Sequence, residues 1–235
     1  MLWVIGIIAA VQLGLLASAL WGAKPCVSGE RRFPLAESML LSISLVTAAA
    51  ALYVLEVVPA YSLWIAIGML FSFVGDLSMA QLLPWRNWLI GGMLTFGIGH
   101  VFYMIGFANM ATQFGGTIWN TGFLIATFIA LIVHTIGWTK WVRNDRQPRI
   151  LNIGSYLYGL WVAGTAVFAF AMWWALDGLW WLPAIGGVLF VLSDLIIGYT
   201  DIGQRRVPNH RLWIWITYVA AQACIVYGAL FATNM

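Results

Sequence analysis

An all-α bundle of eight transmembrane helices is the fold class that this sequence predicts. Hydrophobic residues make up 63% of the 235-residue chain and charged residues only 8%, whereas charged residues make up about a quarter of an ordinary soluble domain. Eight separate stretches are apolar over about 20 residues, the length that a helix needs to cross the hydrocarbon core of a bilayer. We therefore expect a polytopic membrane protein with a single transmembrane domain over residues 1–235.

Short breaks rich in Pro, Gly, Asn or charged residues separate the apolar stretches and set the predicted helix ends. The first span stops before Lys24 and Pro25, the third ends near Pro84, and the seventh ends near Gly203. Such residues stop helices because Pro lacks a backbone donor and Gly readily leaves the helical conformation. In order, the predicted spans cover residues 1–22, 35–55, 59–83, 87–110, 117–139, 150–175, 179–200 and 210–232.

The placement of positive charge predicts the orientation in the membrane. All 11 Lys and Arg residues lie in or beside the loops between spans 1 and 2, 3 and 4, 5 and 6, and 7 and 8, and the opposite loops contain none. Because basic loops stay in the cytoplasm, we expect both termini on the non-cytoplasmic side. Tryptophans cluster near both ends of the spans, which is typical of the two membrane interfaces.

Two aspartates inside the apolar spans are the main functional signal. Asp76 lies in span 3 and Asp194 in span 7, and a carboxylate at such depth is costly unless it faces a cavity or a partner. Asp76 is about 12 Å inside the cytoplasmic end of its span, at 1.5 Å per residue, and Asp194 is at a similar depth. We therefore expect both carboxyl groups in one layer in the cytoplasmic half of the membrane.

Other polar side chains come to about the same depth from neighbouring spans. Each of them could instead join two helices by a hydrogen bond, which is common in membrane proteins. That alternative is weaker for the two aspartates, because His100 is the one side chain in the middle of a span that could pair with them as a cation. The converging residues are Ser72, His100, Tyr103, Tyr156, Tyr158, Ser193, Tyr218 and Gln222.

Several classes of membrane protein are excluded by the residues that the chain lacks. A retinal protein needs a lysine in a late span, but both lysines, Lys24 and Lys140, are in loops. A zinc site needs three or more ligands at one level, and His100, His134 and His210 are at different depths. The chain has no nucleotide-binding loop, nucleophile elbow or nucleic-acid motif. We expect no metal, no cofactor and no nucleic acid as partner.

Four short motifs lie on spans 3, 4, 7 and 8. They are Phe71-Ser72-x-x-Gly75-Asp76, Phe96-x-x-Gly99-His100-x-x-Tyr103, Phe190-x-x-Ser193-Asp194 and Tyr218-x-x-Ala221-Gln222. In this order and on these spans they resemble the YhhN or lysoplasmalogenase family of eight-span membrane proteins. The resemblance extends from about span 2 to span 8.

The resemblance implies a reaction and a substrate. Characterised members of this family cleave the vinyl-ether bond of lysoplasmalogens to an aldehyde and a glycerophospho-base. This chemistry needs one carboxylic acid and one carboxylate and no metal, and we expect Asp76 and Asp194 to supply them. The expected partners are a lysophospholipid substrate and the lipids of the plasma membrane. The expected substrate-binding residues are Ser72, His100, Tyr103, Tyr156, Ser193, Tyr218 and Gln222, with Arg86 and Arg206 near the phosphate.

Two alternatives stay open at the level of sequence. Intramembrane carboxylates serve a proton- or cation-coupled transporter equally well, although the spans are not broken by Pro at mid-depth as discontinuous transporter helices often are. A lipid-binding protein without catalytic activity is the other alternative, since a fold does not determine a function.

Overall fold

Residues 2–25 and 30–232 are described by a computed structural model, and this part of the chain forms eight long α-helices. Each of them is long and apolar enough to cross a membrane, so the predicted all-α fold with eight spans is confirmed. The side on which the termini lie stays a prediction, and Met1 lies outside the described residues. The helices are α1 (Leu2–Gly22), α2 (Leu35–Val54), α3 (Pro59–Met79), α4 (Trp88–Gln113), α5 (Thr121–Gly137), α6 (Arg149–Leu176), α7 (Trp181–Ile197) and α8 (His210–Ala232).

Asparagine side chains cap the first turns of α4 and α5. The Asn87 side chain accepts hydrogen bonds from two backbone N–H groups of the first turn of α4, and Asn120 does the same for one N–H group of α5. Pro59 occupies the first turn of α3, where its missing N–H group is not needed. This helix ends at Met79 and not at residue 83, because Gln81 adopts the left-handed conformation with φ of 59°.

Two π-helical turns extend the helices at the end of the bundle that carries the basic loops, which we call the basic end. Trp138–Val142 follows α5, and Gly198–Ile202 follows α7. The turns pack against each other, and Val142 and Ile202 are buried in one small hydrophobic cluster. These contacts tie α5 to α7 at the basic end.

Six of the helices form a closed ring. Neighbours around it pack in the order α2, α3, α4, α6, α7 and α8, and α8 packs back on α2. The other two lie outside the ring, α1 against α2 and α5 against α6. The ring encloses an internal space between its six helices. Asp76 on α3 and Asp194 on α7 both line this space.

Helices α3 and α4 cross closely at Gly68 and Gly99. A Cβ atom on either glycine would lie 2.9 Å from the carbonyl oxygen of the other, so any larger residue would push the helices apart. Small residues allow this close approach in membrane bundles. It brings the Ser72 hydroxyl of α3 within 2.8 Å of the Tyr103 hydroxyl of α4.

Candidate functional site

The carboxyl group of Asp76 is held by hydroxyl groups from two other helices. Asp76 is 4% exposed, and its Oδ2 atom accepts a hydrogen bond from the Ser42 hydroxyl of α2. The same oxygen accepts a second hydrogen bond, 2.9 Å long, from the Tyr218 hydroxyl of α8. Hydroxyl groups that donate to a carboxylate make stronger bonds than they make to a neutral acceptor. This carboxyl group is therefore fixed in position by α2, α3 and α8 together.

The carboxyl group of Asp194 has fewer partners in the protein. Tyr158 of α6 interacts with it. Its Oδ2 atom is buried and accepts no hydrogen bond from the described part of the chain. A polar atom buried without a partner costs roughly 1–3 kcal/mol, and such atoms call for a functional explanation.

One internal cavity, which we call the polar cavity, contains both carboxyl groups. It has a volume of about 760 Å³ and is lined by all six helices of the ring. From its deepest wall it extends to the basic end, where exposed cationic side chains line its mouth. Its polar lining residues include Asp76, His100, Tyr158, Ser193, Asp194 and Tyr218 inside and Lys24, Arg32, Asp201, His210 and Arg211 at the mouth.

Tyr218 connects the two carboxyl groups. Its hydroxyl group donates to Asp76, and it is also close enough to Asp194 to interact electrostatically with that carboxyl group. Its ring packs edge-on against Phe96 and Phe190, with centroid separations of 5.8 Å and 5.5 Å. The aromatic contacts hold the phenol between the two aspartates.

A second cavity, which we call the apolar cleft, borders the first. It has a volume of about 420 Å³ and is lined mainly by α5, α6 and α7. Asp194 and Tyr158 line both cavities, whereas Asp76 lines only the polar cavity. The apolar cleft is lined by residues that include Ile125, Ala126, Ala130, Val133, Val162, Ala166, Phe170, Val188 and Val191.

His100 lies on the inner wall of the polar cavity, and its orientation is set by a residue of α6. The Nδ1 atom of His100 is 2.9 Å from the Oγ1 atom of Thr165. The imidazole ring also packs edge-on against Phe190 at a centroid distance of 5.0 Å. These contacts with the neighbouring helices α6 and α7 hold the imidazole in one orientation at the cavity wall.

Three of the predicted residues are buried behind the cavity wall. Ser72 and Tyr103 are hydrogen-bonded to each other, and neither lines the two cavities. Gln222 is fully buried one turn beyond Tyr218, and both polar atoms of its amide have no hydrogen-bond partner among the described residues. The Ser72 and Tyr103 hydroxyl groups join α3 to α4 next to the site. Nothing in the surroundings of Gln222 explains why its amide is buried.

Three other predicted residues point elsewhere. Tyr156 faces α5, where its hydroxyl is 3.1 Å from that of Thr135. Arg86 and Arg206 lie in loops at the basic end, and neither lines the polar cavity or the apolar cleft. Arg211 is the one arginine among the described residues between α7 and the first turn of α8 that lines the cavity mouth. For Tyr156, Arg86 and Arg206 a role in substrate binding stays a prediction that the cavity walls do not support.

Sequence reasoning missed several residues of the site. Ser42 is not close in sequence to any motif, although it and Ser38 lie four residues apart and share one face of α2. Thr165 gave no signal, since an isolated threonine is common in membrane helices. The sequence places both Tyr156 and Tyr158 among the polar residues at this depth, but the expected substrate-binding residues include only Tyr156. The two residues project from nearly opposite faces of α6 because they are two positions apart.

No metal site is evident in the part of the chain that is described. Groups of three or more His, Cys, Asp or Glu side chains that could hold a metal ion do not occur among these residues. The two aspartates and His100 line the polar cavity. The side chains hydrogen-bonded to Asp76 and His100 carry hydroxyl groups, among them those of Ser42 and Thr165.

Comparison with known sequences identifies one family. A model of the YhhN family matches residues 35–229. The comparisons with curated proteins and with solved structures find no match. The matched region includes the six helices of the ring, and hence the polar cavity, and leaves out α1.

Proposed function

Because the chain belongs to the YhhN family, we propose that it is an intramembrane hydrolase that cleaves the vinyl-ether bond of lysoplasmalogens. The products are a long-chain aldehyde and a glycerophospho-base. The observation that carries the proposal is the position of Asp76 and Asp194, two carboxyl groups on different helices that line one cavity. This arrangement suits acid–base hydrolysis by a pair of carboxyl groups.

The reaction consumes one water molecule and needs one proton donor and one proton acceptor. A carboxylic acid first donates its proton to the β-carbon of the vinyl ether, and an oxocarbenium ion forms at the carbon bonded to oxygen. Water adds to this carbon while a carboxylate accepts the proton that the water loses. The hydroxyl group of the resulting hemiacetal then loses its proton as the bond to the glycerol oxygen breaks, the glycerol oxygen takes up a proton, and the aldehyde is released. The two carboxyl groups return to their starting states by proton exchange with water.

The larger number of hydroxyl donors at Asp76 supports a division of the two roles between the aspartates. Asp76 is proposed as the carboxylate, because the hydroxyl groups of Ser42 and Tyr218 both donate to its Oδ2 atom and such donors favour an ionised acceptor. Asp194 is then the acid. Two carboxyl groups in one cavity resist joint ionisation, so a pair that shares one proton is the expected resting state.

Other residues of the polar cavity are proposed to position the substrate. Tyr218 contacts Asp76 and approaches Asp194, so it would orient the attacking water between them. His100, held by Thr165, would contact water or a glycerol oxygen from the inner wall. At the mouth, Lys24, Arg32 and Arg211 carry the positive charge that an anionic phosphate requires.

The proposal is tested by incubating the purified protein with a lysoplasmalogen and measuring the long-chain aldehyde. Asp76→Asn and Asp194→Asn are each expected to lower kcat roughly 10²- to 10⁴-fold, because each removes one proton-transfer group. Asp177→Asn is the matched control, since Asp177 follows α6 and lines neither cavity. The control should release aldehyde at the rate of the unchanged protein.

Two results would contradict the proposal. Aldehyde release that is equal in the unchanged protein and both cavity variants would show that the carboxyl pair has no catalytic role. A proton or cation flux across liposomes that depends on Asp76 and Asp194, without aldehyde release, would favour a carrier. The unbroken course of α3 past Asp76 and of α7 past Asp194 supports the hydrolase over the carrier.

A further inference from the structure

Asp194 and Tyr158 lie at the boundary between two spaces of opposite character. On one side is the polar cavity, with the second carboxyl group and the cationic mouth; on the other is the apolar cleft between α5, α6 and α7. The unpaired Oδ2 atom of Asp194 is therefore found at the meeting point of polar and apolar surroundings. A molecule that fills both spaces must be polar at one end and apolar at the other, with its junction at Asp194.

The length of the apolar cleft suits one hydrocarbon chain. Along α6 the cleft is lined from Ser155 to Phe170. The stretch from Tyr158, which interacts with Asp194, to Phe170 is about 18 Å long at 1.5 Å per residue. One leaflet of a bilayer is about 15 Å deep, half of the hydrocarbon core. This stretch of the cleft thus has the length that a lipid chain occupies within one leaflet.

The walls of the cleft connect it with the surrounding membrane. Ile125, Ile129 and Val133 of α5 and Val188 of α7 line it and are also among the exposed large hydrophobic residues. Since α5 packs on α6 and lies outside the ring, the cleft is open to lipid along its side. A chain can enter from the bilayer without crossing water.

We propose that the apolar cleft binds the hydrocarbon chain of a single-chain lipid whose phosphate-bearing head group occupies the polar cavity. This inference rests on the proposed function, since it orients the substrate of the same site. With the chain in the cleft, the β-carbon of a vinyl ether lies next to Asp194, and the ether oxygen and glycerol lie on the side of Asp76. The carbon that must receive a proton is then beside the proposed acid.

The test changes the cleft far from the carboxyl groups and measures binding without hydrolysis. Ala126 of α5 lines the outer part of the cleft, and Ala126→Phe places an aromatic ring there. The probes are dodecyl and octadecyl 1-O-alkyl lysophosphocholines, whose saturated ether cannot be protonated at carbon. Binding of the radiolabelled probes to the full chain in phosphatidylcholine nanodiscs is measured at equilibrium.

Ala126→Phe is expected to lower the ratio of octadecyl to dodecyl binding constants about tenfold, because an overfilled apolar site excludes the longer chain. Ala130→Phe, one turn nearer to Asp194 and also in the cleft, should weaken the binding of both probes. The matched control is Ala10→Phe on the exposed face of α1, which should keep the ratio of the unchanged protein.

The outcomes separate this inference from the proposed function. An unchanged ratio in Ala126→Phe overturns the chain site, even if lysoplasmalogens are hydrolysed normally. A changed ratio supports the chain site, even if no aldehyde is ever released and the proposed hydrolase activity fails. If Ala10→Phe changes the ratio as much as Ala126→Phe does, the effect belongs to the lipid-facing surface in general and the chain site is wrong.

Discussion

Asp76 and Asp194 are the same residue type on two helices of one ring, yet their carboxyl groups have different surroundings. Two hydroxyl groups donate to Oδ2 of Asp76, whereas Oδ2 of Asp194 accepts no hydrogen bond from the described residues. Asp76 lines only the polar cavity, whereas Asp194 lines both the polar cavity and the apolar cleft. Asp76 is held by two hydroxyl groups, whereas Asp194 interacts with the hydroxyl group of Tyr158 and keeps its Oδ2 atom available for a ligand. Different surroundings can give two carboxyl groups opposite roles in one reaction.

The largest expected effect comes from removing each carboxyl group and supplying a small substitute. Asp76→Ala and Asp194→Ala should each lower kcat roughly 10²- to 10⁴-fold. Formate is ionised at neutral pH, so it can replace a carboxylate but not a carboxylic acid. We expect formate to restore part of the aldehyde release to Asp76→Ala and none to Asp194→Ala.

Chloride at the same concentration is the control for ionic strength in this experiment. Rescue of Asp194→Ala with no rescue of Asp76→Ala would reverse the two roles. Equal rescue of both variants would mean that the hydrogen bonds of Ser42 and Tyr218 do not distinguish the carboxyl groups.

A smaller effect should follow from removing one hydroxyl group beside each aspartate. Tyr218→Phe deletes a donor to Asp76, and a hydrogen bond to a charged group contributes about 1.5–3 kcal/mol, so kcat should fall about 10- to 100-fold. Tyr158→Phe should lower kcat less, because Asp194 acts as the acid and needs no donor. Steady-state rates of aldehyde release measure both.

Tyr227→Phe is the matched control for these two variants. Its hydroxyl donates to Gln12 of α1 at 2.6 Å, outside both cavities, so the rate of aldehyde release should stay the same. A larger loss in Tyr158→Phe than in Tyr218→Phe would contradict the assignment of Asp76 as the carboxylate.

The number of helices and the depth of the aspartates could be predicted because they depend on local sequence. Hydropathy over about 20 residues identifies a span whatever its neighbours are, and a carboxyl group within a span is conspicuous by itself. The prediction that His100 and Tyr218 come to the level of Asp76 also needs only the distance along each helix. The structure places both residues on the wall that Asp76 lines.

The remaining parts of the site depend on which helices are neighbours and how each is rotated. The ring passes from α4 directly to α6 and leaves α5 outside, an order that sequence adjacency does not give. The apolar cleft exists because of this displacement. Tyr158 lines the polar cavity and Tyr156 does not. The sequence could not distinguish these two tyrosines, because the rotation of α6 about its axis is set by its contacts with α4, α5 and α7.

The smallest expected effect concerns the mouth of the polar cavity, where only the head group would be bound. Arg211 lines this mouth and is exposed, and exposed ion pairs contribute about 0.2–1 kcal/mol, so Arg211→Gln should raise KM a few-fold and affect kcat less. Arg146→Gln, in a loop that lines neither cavity, is the matched control and should leave KM unchanged. The ratio of the two KM values should approach one at high salt, because salt screens exposed charges. If Arg211→Gln instead lowered kcat as strongly as Tyr218→Phe, this arginine would act on the reacting groups, and the division between a head-group mouth and a catalytic interior would be wrong.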